Sequence, residues 1–132
     1  MIEVEVAYLA GLVDGEGCFS IWRRNGTTGI ELRVSSSDPR VMEWLRARFG
    51  GAADRHTPQS SKHKWMWVWR PRVKELDALL PRLIPYLIIK RDQAEIALSF
   101  RRLMSAGRGQ NVAERERLKE QMHVLNRRGR LE

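Results

Sequence analysis

The first apolar segment of the chain has no polar side. From Val6 to Val13 every residue is apolar, and a helix of this kind must be covered on more than one side. The segment is too short to cross a bilayer. Gly11, Gly15 and Gly17 would let another backbone come close. The pattern therefore predicts a helix that packs on its own domain and also on a second subunit.

Strict alternation of apolar and polar residues follows this helix. The runs from Cys18 to Arg24 and from Ile30 to Ser35 both have the period of two that is typical of half-buried strands. Asn25-Gly26 between them is a hairpin-turn sequence. The two runs predict a hairpin with one apolar face and one polar, basic face that is available for a ligand.

The next segment repeats this order of helix and strand pair. Asp38-Pro39 is a helix start, and Gly50-Gly51 ends the helix. A second strand pair is predicted for Ala52 to Thr57 and Lys64 to Trp69. We expect the inward side of the helix to consist of Val41, Trp44, Leu45 and Phe49. We expect the core-facing side of the last strand to consist of Trp65, Trp67 and Trp69.

Helices fill the rest of the chain. The apolar spacing predicts a short helix from Val73 to Leu80, closed by Pro81, and two longer ones from Lys90 to Met104 and Asn111 to Leu125. The predicted order is helix, two strands, helix, two strands, then helices, within one domain of 132 residues.

The charge of the chain favours an anionic partner. With 24 Lys and Arg against 16 Asp and Glu, the formal net charge is +8 and the isoelectric point is near 10.5. A balance this basic puts nucleic acid first among candidate partners.

Other classes of site have little support. The single cysteine, Cys18, excludes an internal disulfide, and His56, His63 and His123 lack the spacing of zinc ligands. The N-terminus is acidic where a secretory signal would be basic, and no apolar run has the length of a membrane span. We expect an intracellular protein, of the cytoplasm or an organelle, without a membrane partner.

The segment from Tyr8 to Gly17 reads Tyr-Leu-Ala-Gly-Leu-Val-Asp-Gly-Glu-Gly. It resembles the LAGLIDADG signature of homing endonucleases, with Val13 in place of Ile and Gly15-Glu16 in place of Ala-Asp. The segment lies on an apolar helix that leads directly into a strand, which is the context of the signature in that family. A second segment, Leu87 to Gln93, is similar to the Leu-x-x-Lys-x-x-Gln segment that these enzymes carry after their sheet.

The resemblance implies both a fold and an activity. The fold is α+β, with the order αββαββα and an antiparallel, saddle-shaped sheet that has its helices on one face. The activity is sequence-specific cleavage of double-stranded DNA, encoded by a mobile genetic element in an intron or intein. Relatives with one motif act as homodimers on pseudo-palindromic targets, and this chain has one. We expect the dimer interface to involve these residues of the motif helix: Tyr8, Leu9, Gly11, Leu12 and Gly15.

The resemblance also assigns roles around the cleavage centre. Glu16, with Gly15 beside it, is implied as the ligand of Mg²⁺, a cation that takes few protein ligands and keeps water and phosphate oxygens. An acid is electrostatically disfavoured at the end of a helix, so Glu16 needs such a reason to be there. Asp14 is expected to make structural hydrogen bonds. Lys90 is either a solvated helix-terminal lysine or a cation near the scissile phosphate, and Ser36 is a candidate to hold catalytic water.

DNA recognition is assigned to the polar faces of the two hairpins. Outward side chains that can enter the major groove are Ser20, Trp22, Arg24, Arg33, Arg55, Thr57, Lys64 and Met66. Two other functions stay open at this stage. A maturase or transcriptional regulator of the same fold would bind nucleic acid without cutting it, and a dimerisation domain would use the apolar helix but not the basic strand faces.

Overall fold

A computed structural model describes residues 1–56, 65–107, 109 and 111–131, with the backbone alone for 128–131. Thr57 and Lys64 lie outside the described residues. The elements are α1 (Glu3–Glu16), β1 (Gly17–Arg24), β2 (Thr27–Ser36), α2 (Pro39–Phe49), β3 (Ala52–His56), β4 (Met66–Arg70), α3 (Val73–Leu83), a 3-10 turn (Ile84–Tyr86), α4 (Arg91–Ser105) and α5 (Val112–Leu131).

The four strands form one antiparallel sheet in the order β1-β2-β4-β3. In its register Gly17 lies opposite Val34, and Trp69 lies between Val34 on one side and Ala53 on the other. The sheet side chains that are buried under the helices are Phe19, Ile21, Ile30, Leu32, Val34 and Trp69. The predicted mixture of helices with a four-stranded antiparallel sheet is confirmed.

The motif helix α1 is central to the core. Its inward residues Val6, Leu9, Ala10 and Val13 are fully buried within this single chain. The assignment of Leu9 to a dimer interface is therefore wrong, because its side chain already faces the core of its own domain. Because residues 6–13 are apolar on every side of the helix, the sequence pattern did not indicate which side faces the core.

Three further predictions need correction. On α2 the buried residues are Met42, Leu45 and Phe49, whereas Val41 and Trp44 are only partly buried against the core. Burial increases along β4, so that Trp69 near its end is buried, whereas Trp65, just before its start, is 46% exposed. Helix α3 continues through Pro81 to Leu83 instead of ending before it.

The last helix covers one edge of the sheet. Asn126 on α5 donates a hydrogen bond from Nδ2 to the Phe19 carbonyl of the edge strand β1 at 2.9 Å. Leu118 and Met122 on the same helix are buried in the core. In the described part of the chain, no helix has the length and apolar character needed to cross a membrane.

Candidate nucleic-acid interface and metal site

The carboxyl end of α1 is joined to the start of α4. The Asp14 carboxylate accepts hydrogen bonds from the backbone N–H groups of Ile88, Ile89 and Lys90 at 2.9–3.1 Å. These groups precede the first turn of α4, where unpaired N–H groups and the positive end of the helix dipole favour an anion. The structure thus agrees with the structural role expected for Asp14.

Lys90 makes the reverse connection. Its Nζ donates to the carbonyls of Val13 at 3.0 Å and Asp14 at 3.2 Å, and also to the carbonyl of Gly17. An ammonium has three donors, and all three are used at the carbonyl end of α1. A cation at this end of a helix is favoured by the dipole. Lys90 therefore lies beside the motif in a bonded position, which differs from the solvated helix-terminal lysine of the first alternative.

Glu16 ends α1 and is exposed. Gly17 follows it in close contact with the helix, since a Cβ at this position would lie 2.7 Å from the Val13 Cα. That contact fixes the point at which the chain leaves α1 for β1, and so the place of the Glu16 carboxylate. Among the described residues no group of three or more His, Cys, Asp or Glu side chains could hold a metal ion. Glu16 therefore offers a single carboxylate, and the other ligands of a cation here would be water, DNA or a second subunit.

The outward side of α1 forms a narrow stripe, which we call the glycine face. It consists of Val4, Tyr8, Gly11 and Gly15, spaced by four, three and four residues, so all lie on one side of the helix. Val4 is 73% exposed and Tyr8 58%. A Cβ built at Gly11 or Gly15 meets nothing within 4 Å. Packing within this chain therefore does not account for the two glycines.

The amino end of α1 is held by an ionic cluster. Glu3 accepts hydrogen bonds from the Tyr86 hydroxyl and the Arg82 guanidinium. These bonds, that of Tyr86 first, lower the pKa of Glu3, and the same contact raises the pKa of Tyr86. Both ends of the motif helix are thus tied to the α3–α4 region, which leaves the glycine face as its open side.

The sheet has a second side, which carries the polar residues and which we call the open face. Strand parity and register place on it Ser20, Trp22, Arg24, Glu31, Arg33, Ser35, Asp54, His56, Met66, Val68 and Arg70. Five of the predicted DNA-contacting residues are in this set. Trp22 lies flat across it, because a Cβ at Gly29 would be 2.2 Å from the Trp22 ring. Arg24 stacks over the same ring at 5.3 Å.

Arg55 does not share the open face with the other predicted DNA-contacting residues. It pairs with Trp67 and shares the parity of Ala53 and Trp69, whose side chains belong to the helix side. Its guanidinium stacks on Trp65 at 4.1 Å and reaches the Trp67 ring at 5.9 Å. The neighbours Asp54 and His56 occupy the open face instead.

Ser36 shares the parity of Val34, so its side chain lies on the helix side of the sheet opposite Trp67. Its hydroxyl accepts a hydrogen bond from the Asp38 backbone N–H at 3.1 Å. This bond gives Ser36 a local structural role at the entry into α2. Ser35 is the open-face hydroxyl closest in register to Glu16, because Val34 pairs with Gly17.

Two groups of open-face residues were missed by the sequence reading. Arg70 comes directly after the predicted strand end and is half-buried between the acids of neighbouring strands. The second group belongs to α5, where His123, Asn126 and Arg127 line a cavity of about 440 Å³ together with Ser20 and Arg33. The run of basic residues after Asn126 was the only signal for this contribution.

Comparison with solved structures identifies the fold. The chain is similar to the homing endonuclease I-CvuI in complex with the I-CreI target in the presence of magnesium (TM-score 0.73, 21% identity, 93% of this chain and 82% of that one). It is also similar to the archaeal intron-encoded homing endonuclease I-Vdi141I complexed with DNA (TM-score 0.74, 15% identity, 93% and 84%). A third neighbour is the LAGLIDADG meganuclease I-AabMI bound to uncleaved DNA (TM-score 0.67, 22% identity, 86% and 43%). The chain therefore has the LAGLIDADG homing endonuclease fold.

Sequence comparison gives a narrower match. Over 45 residues the chain is 40% identical to the probable intron-encoded endonuclease aI2 of Debaryomyces hansenii. The match covers 34% of this chain and only 7% of that much longer protein. No protein-family model matches the chain.

Proposed function

We propose that this protein is a sequence-specific DNA endonuclease that acts as a homodimer and hydrolyses phosphodiesters with a divalent cation bound at Glu16. The observation that carries the proposal is the place of Glu16. It is an exposed carboxylate where the glycine face ends at Gly15 and the sheet begins at Gly17. A two-fold axis through the glycine face would bring two Glu16 side chains together beside two open faces.

The homodimer is supported by the surface of α1. Val4 and Tyr8 are exposed apolar residues, and Gly11 and Gly15 leave space for a second helix backbone. An apolar cavity of about 500 Å³ adjoins this stripe, between α1 and Trp44 on α2. A second copy of the chain would cover both, with the self-complementary surface that two-fold symmetry requires.

The residues at the end of α1 fit an Mg²⁺ site completed by other molecules. Glu16 offers hard carboxylate oxygens, and Mg²⁺ commonly takes one or two protein carboxylates with water and phosphate oxygens as its other ligands. When bound, such a cation stabilises the negative charge on the attacking and leaving oxygens of an in-line hydrolysis. Gly15 supports the site by allowing close approach of the second subunit.

The protein's own residues fix the position of this site. Asp14 and Lys90 hold the end of α1 against the start of α4, so Glu16 projects from a fixed point. Since all three donors of Lys90 are engaged, its contribution to the reaction is its positive charge near the DNA backbone. Proton transfer through Lys90 would require one of these bonds to break. Ser35 is closer in register to Glu16 than Ser36 and is the better candidate to orient water.

Recognition is assigned to the open face. Arg24, Arg33 and Arg70 can reach base edges in the major groove, and Ser20 and Met66 lie on the same surface. His123 and Arg127 on α5 extend the surface past the edge of β1 and suit phosphate contacts. The net charge of +8 favours such contacts.

Joining the two DNA sequences that flank the gene would recreate the target of an intron-encoded enzyme. We expect the protein to bind this duplex and to cut it when Mg²⁺ is present, with EDTA as the matched control. Binding without cutting under either condition would favour the maturase or regulator. An absence of both binding and cutting would contradict the proposal.

A further inference from the structure

A chain of ion pairs crosses the open face from β2 to β3. Glu31 on β2 contacts Arg33 Nε at 3.2 Å with one carboxylate oxygen and Arg70 Nε at 3.5 Å with the other. Arg70 Nη1 in turn lies 3.7 Å from Asp54. Two arginines on adjacent strands are therefore held by a single glutamate between them.

Glu31 is in an unfavourable place for a protein that only needs to attract DNA. A carboxylate on a surface that faces phosphates opposes binding, and the positive charge of the protein drives sequence-independent attraction. Its side chain is 28% exposed, so it is not hidden from the duplex. Both pairs are partly open to solvent, with contacts of 3.2 and 3.5 Å, and ion pairs near the surface commonly contribute at most about 1 kcal/mol to folding stability. Stability therefore does not explain why the acid is placed here.

Glu31 is the one acid that pairs with Arg33 among the described residues, whereas Arg70 is shared between Glu31 and Asp54. The contact of Glu31 with each arginine is made at Nε, on the inner side of the guanidinium group, so the Nη groups point away from the Glu31 backbone side of the pair. Two Nη groups side by side match the O6 and N7 acceptors of guanine. A side chain whose rotamer is already fixed loses less entropy when it makes such a pair.

We propose that Glu31 is a positioning residue for specificity: it orients the side chains of Arg33 and Arg70 toward base edges and keeps them from binding phosphate. The inference rests on the proposed function, since it needs a duplex on the open face. It predicts that Glu31 lowers affinity for random DNA while raising the preference for the correct sequence.

The test compares Glu31→Gln with Glu116→Gln. Glu116 pairs with Arg23 at 3.5 Å near the start of α5, so the control removes the same charge from an exposed pair outside the open face. The probe is a pool of random duplexes, from which the wild-type protein selects a preferred sequence. For each protein, affinity is measured on the selected duplex, its single-base variants and the unselected pool, at several salt concentrations.

We expect Glu31→Gln to lose about tenfold in the ratio of selected to unselected affinity, within the range of one bidentate arginine–guanine contact. Its salt dependence on the unselected pool should steepen by about one counterion, because the released arginine meets phosphate. Glu116→Gln should keep the wild-type ratio. Equal ratios in all three proteins would overturn the inference. Failure of the wild type to bind any duplex would instead overturn the proposed function.

A second variant separates positioning from a merely structural role. Glu31→Asp keeps the charge but shortens the arm, so it should restore the weak affinity for unselected DNA while recovering only part of the sequence preference. If Glu31→Asp and Glu31→Gln have the same affinities for the selected duplex and for the unselected pool, Glu31 does not position the arginines, and the inference is wrong.

Discussion

Asp14 at the end of α1 binds the backbone at the start of α4, and Lys90 at the start of α4 binds the backbone at the end of α1. The Asp14 carboxylate accepts three backbone N–H groups before α4, and the Lys90 ammonium donates to three carbonyls at the end of α1. Neither contact joins the two charged groups to each other directly. Together they fix the motif helix against α4 and place Glu16 at its exposed tip.

The first prediction concerns this reciprocal arrangement. Asp14→Asn and Lys90→Met should each lower the free energy of unfolding by about 1–3 kcal/mol, because charged hydrogen-bonding partners of the backbone are lost. The double variant should lose less than the sum, since both residues hold the same junction. Urea unfolding at one fixed protein concentration measures all four proteins. Losses within about 0.5 kcal/mol, the usual range for surface changes, would show that the junction is not stabilising.

The second prediction contrasts two residues of α1. Gly11→Leu should leave the fold intact but dissociate the dimer, because the position is open in the single chain and its space is needed by a second helix. Leu9→Ala should instead destabilise the subunit by about 2–5 kcal/mol, as other buried leucines do. Sedimentation at micromolar concentration and circular dichroism distinguish the two outcomes. A dimer that persists in Gly11→Leu would contradict the glycine face as the interface.

The third prediction contrasts two arginines that the sequence alone treats alike. Arg33→Ala should reduce affinity for the preferred duplex by about 1–3 kcal/mol and relax the preference at one position in each half-site. Arg55→Ala should keep the sequence preference, because Arg55 stacks on Trp65 at the helix side of the sheet. Binding series over single-base variants decide between them. A change of base preference in Arg55→Ala would contradict the placement of the Arg55 side chain on the helix side of the sheet.

The fourth prediction follows from the start of α2. The hydrogen bonds from Arg40, the side-chain bonds first and the backbone N–H second, lower the pKa of Asp38 from 3.8 to about 2. Because the folded pKa is below the unfolded one, Asp38 contributes stability above pH 3.8, and this contribution is lost as the pH falls through about 2. Relative to Asp38→Asn, the wild type should be more stable above pH 3.8, and the difference should shrink below it.

Arg40→Gln is the control for this effect. It removes the main cause of the lowered pKa while leaving the backbone bond from residue 40, so the pH dependence of the Asp38→Asn difference should become weaker in that background. An unchanged pH profile in the Arg40→Gln background would show that the side-chain bonds are not responsible.

The sequence pattern predicted the helices and strands well, but for some residues it did not predict the correct face of the sheet. The apolar alternation of β1 and β2 gave the correct face for Trp22 and Arg33. The face of Arg55 was predicted wrongly, because the short polar strand β3 has little apolar alternation. A shift of one residue in a strand moves every side chain to the other face.

Contacts between distant segments could not be read from the pattern. The motif identified Glu16 as the candidate metal ligand, but the bonds of Lys90 join residues that are more than 70 positions apart in the chain. The ion pairs of Arg70 depend on the strand order β1-β2-β4-β3, which places β4 next to β2. Helix and strand periodicity contains no information about this order.

The most direct test of the account is cleavage by Glu16→Gln. The variant keeps the size of the side chain and removes the charge that would hold the cation, and Glu16 makes no contact in the described structure on which folding depends. With the duplex made by joining the gene's flanking sequences, both proteins should bind equally in the presence of Ca²⁺. In Mg²⁺ the wild type should cut both strands and Glu16→Gln should leave the duplex intact. Cutting by Glu16→Gln at the wild-type rate would contradict the role of Glu16 at the centre of the site.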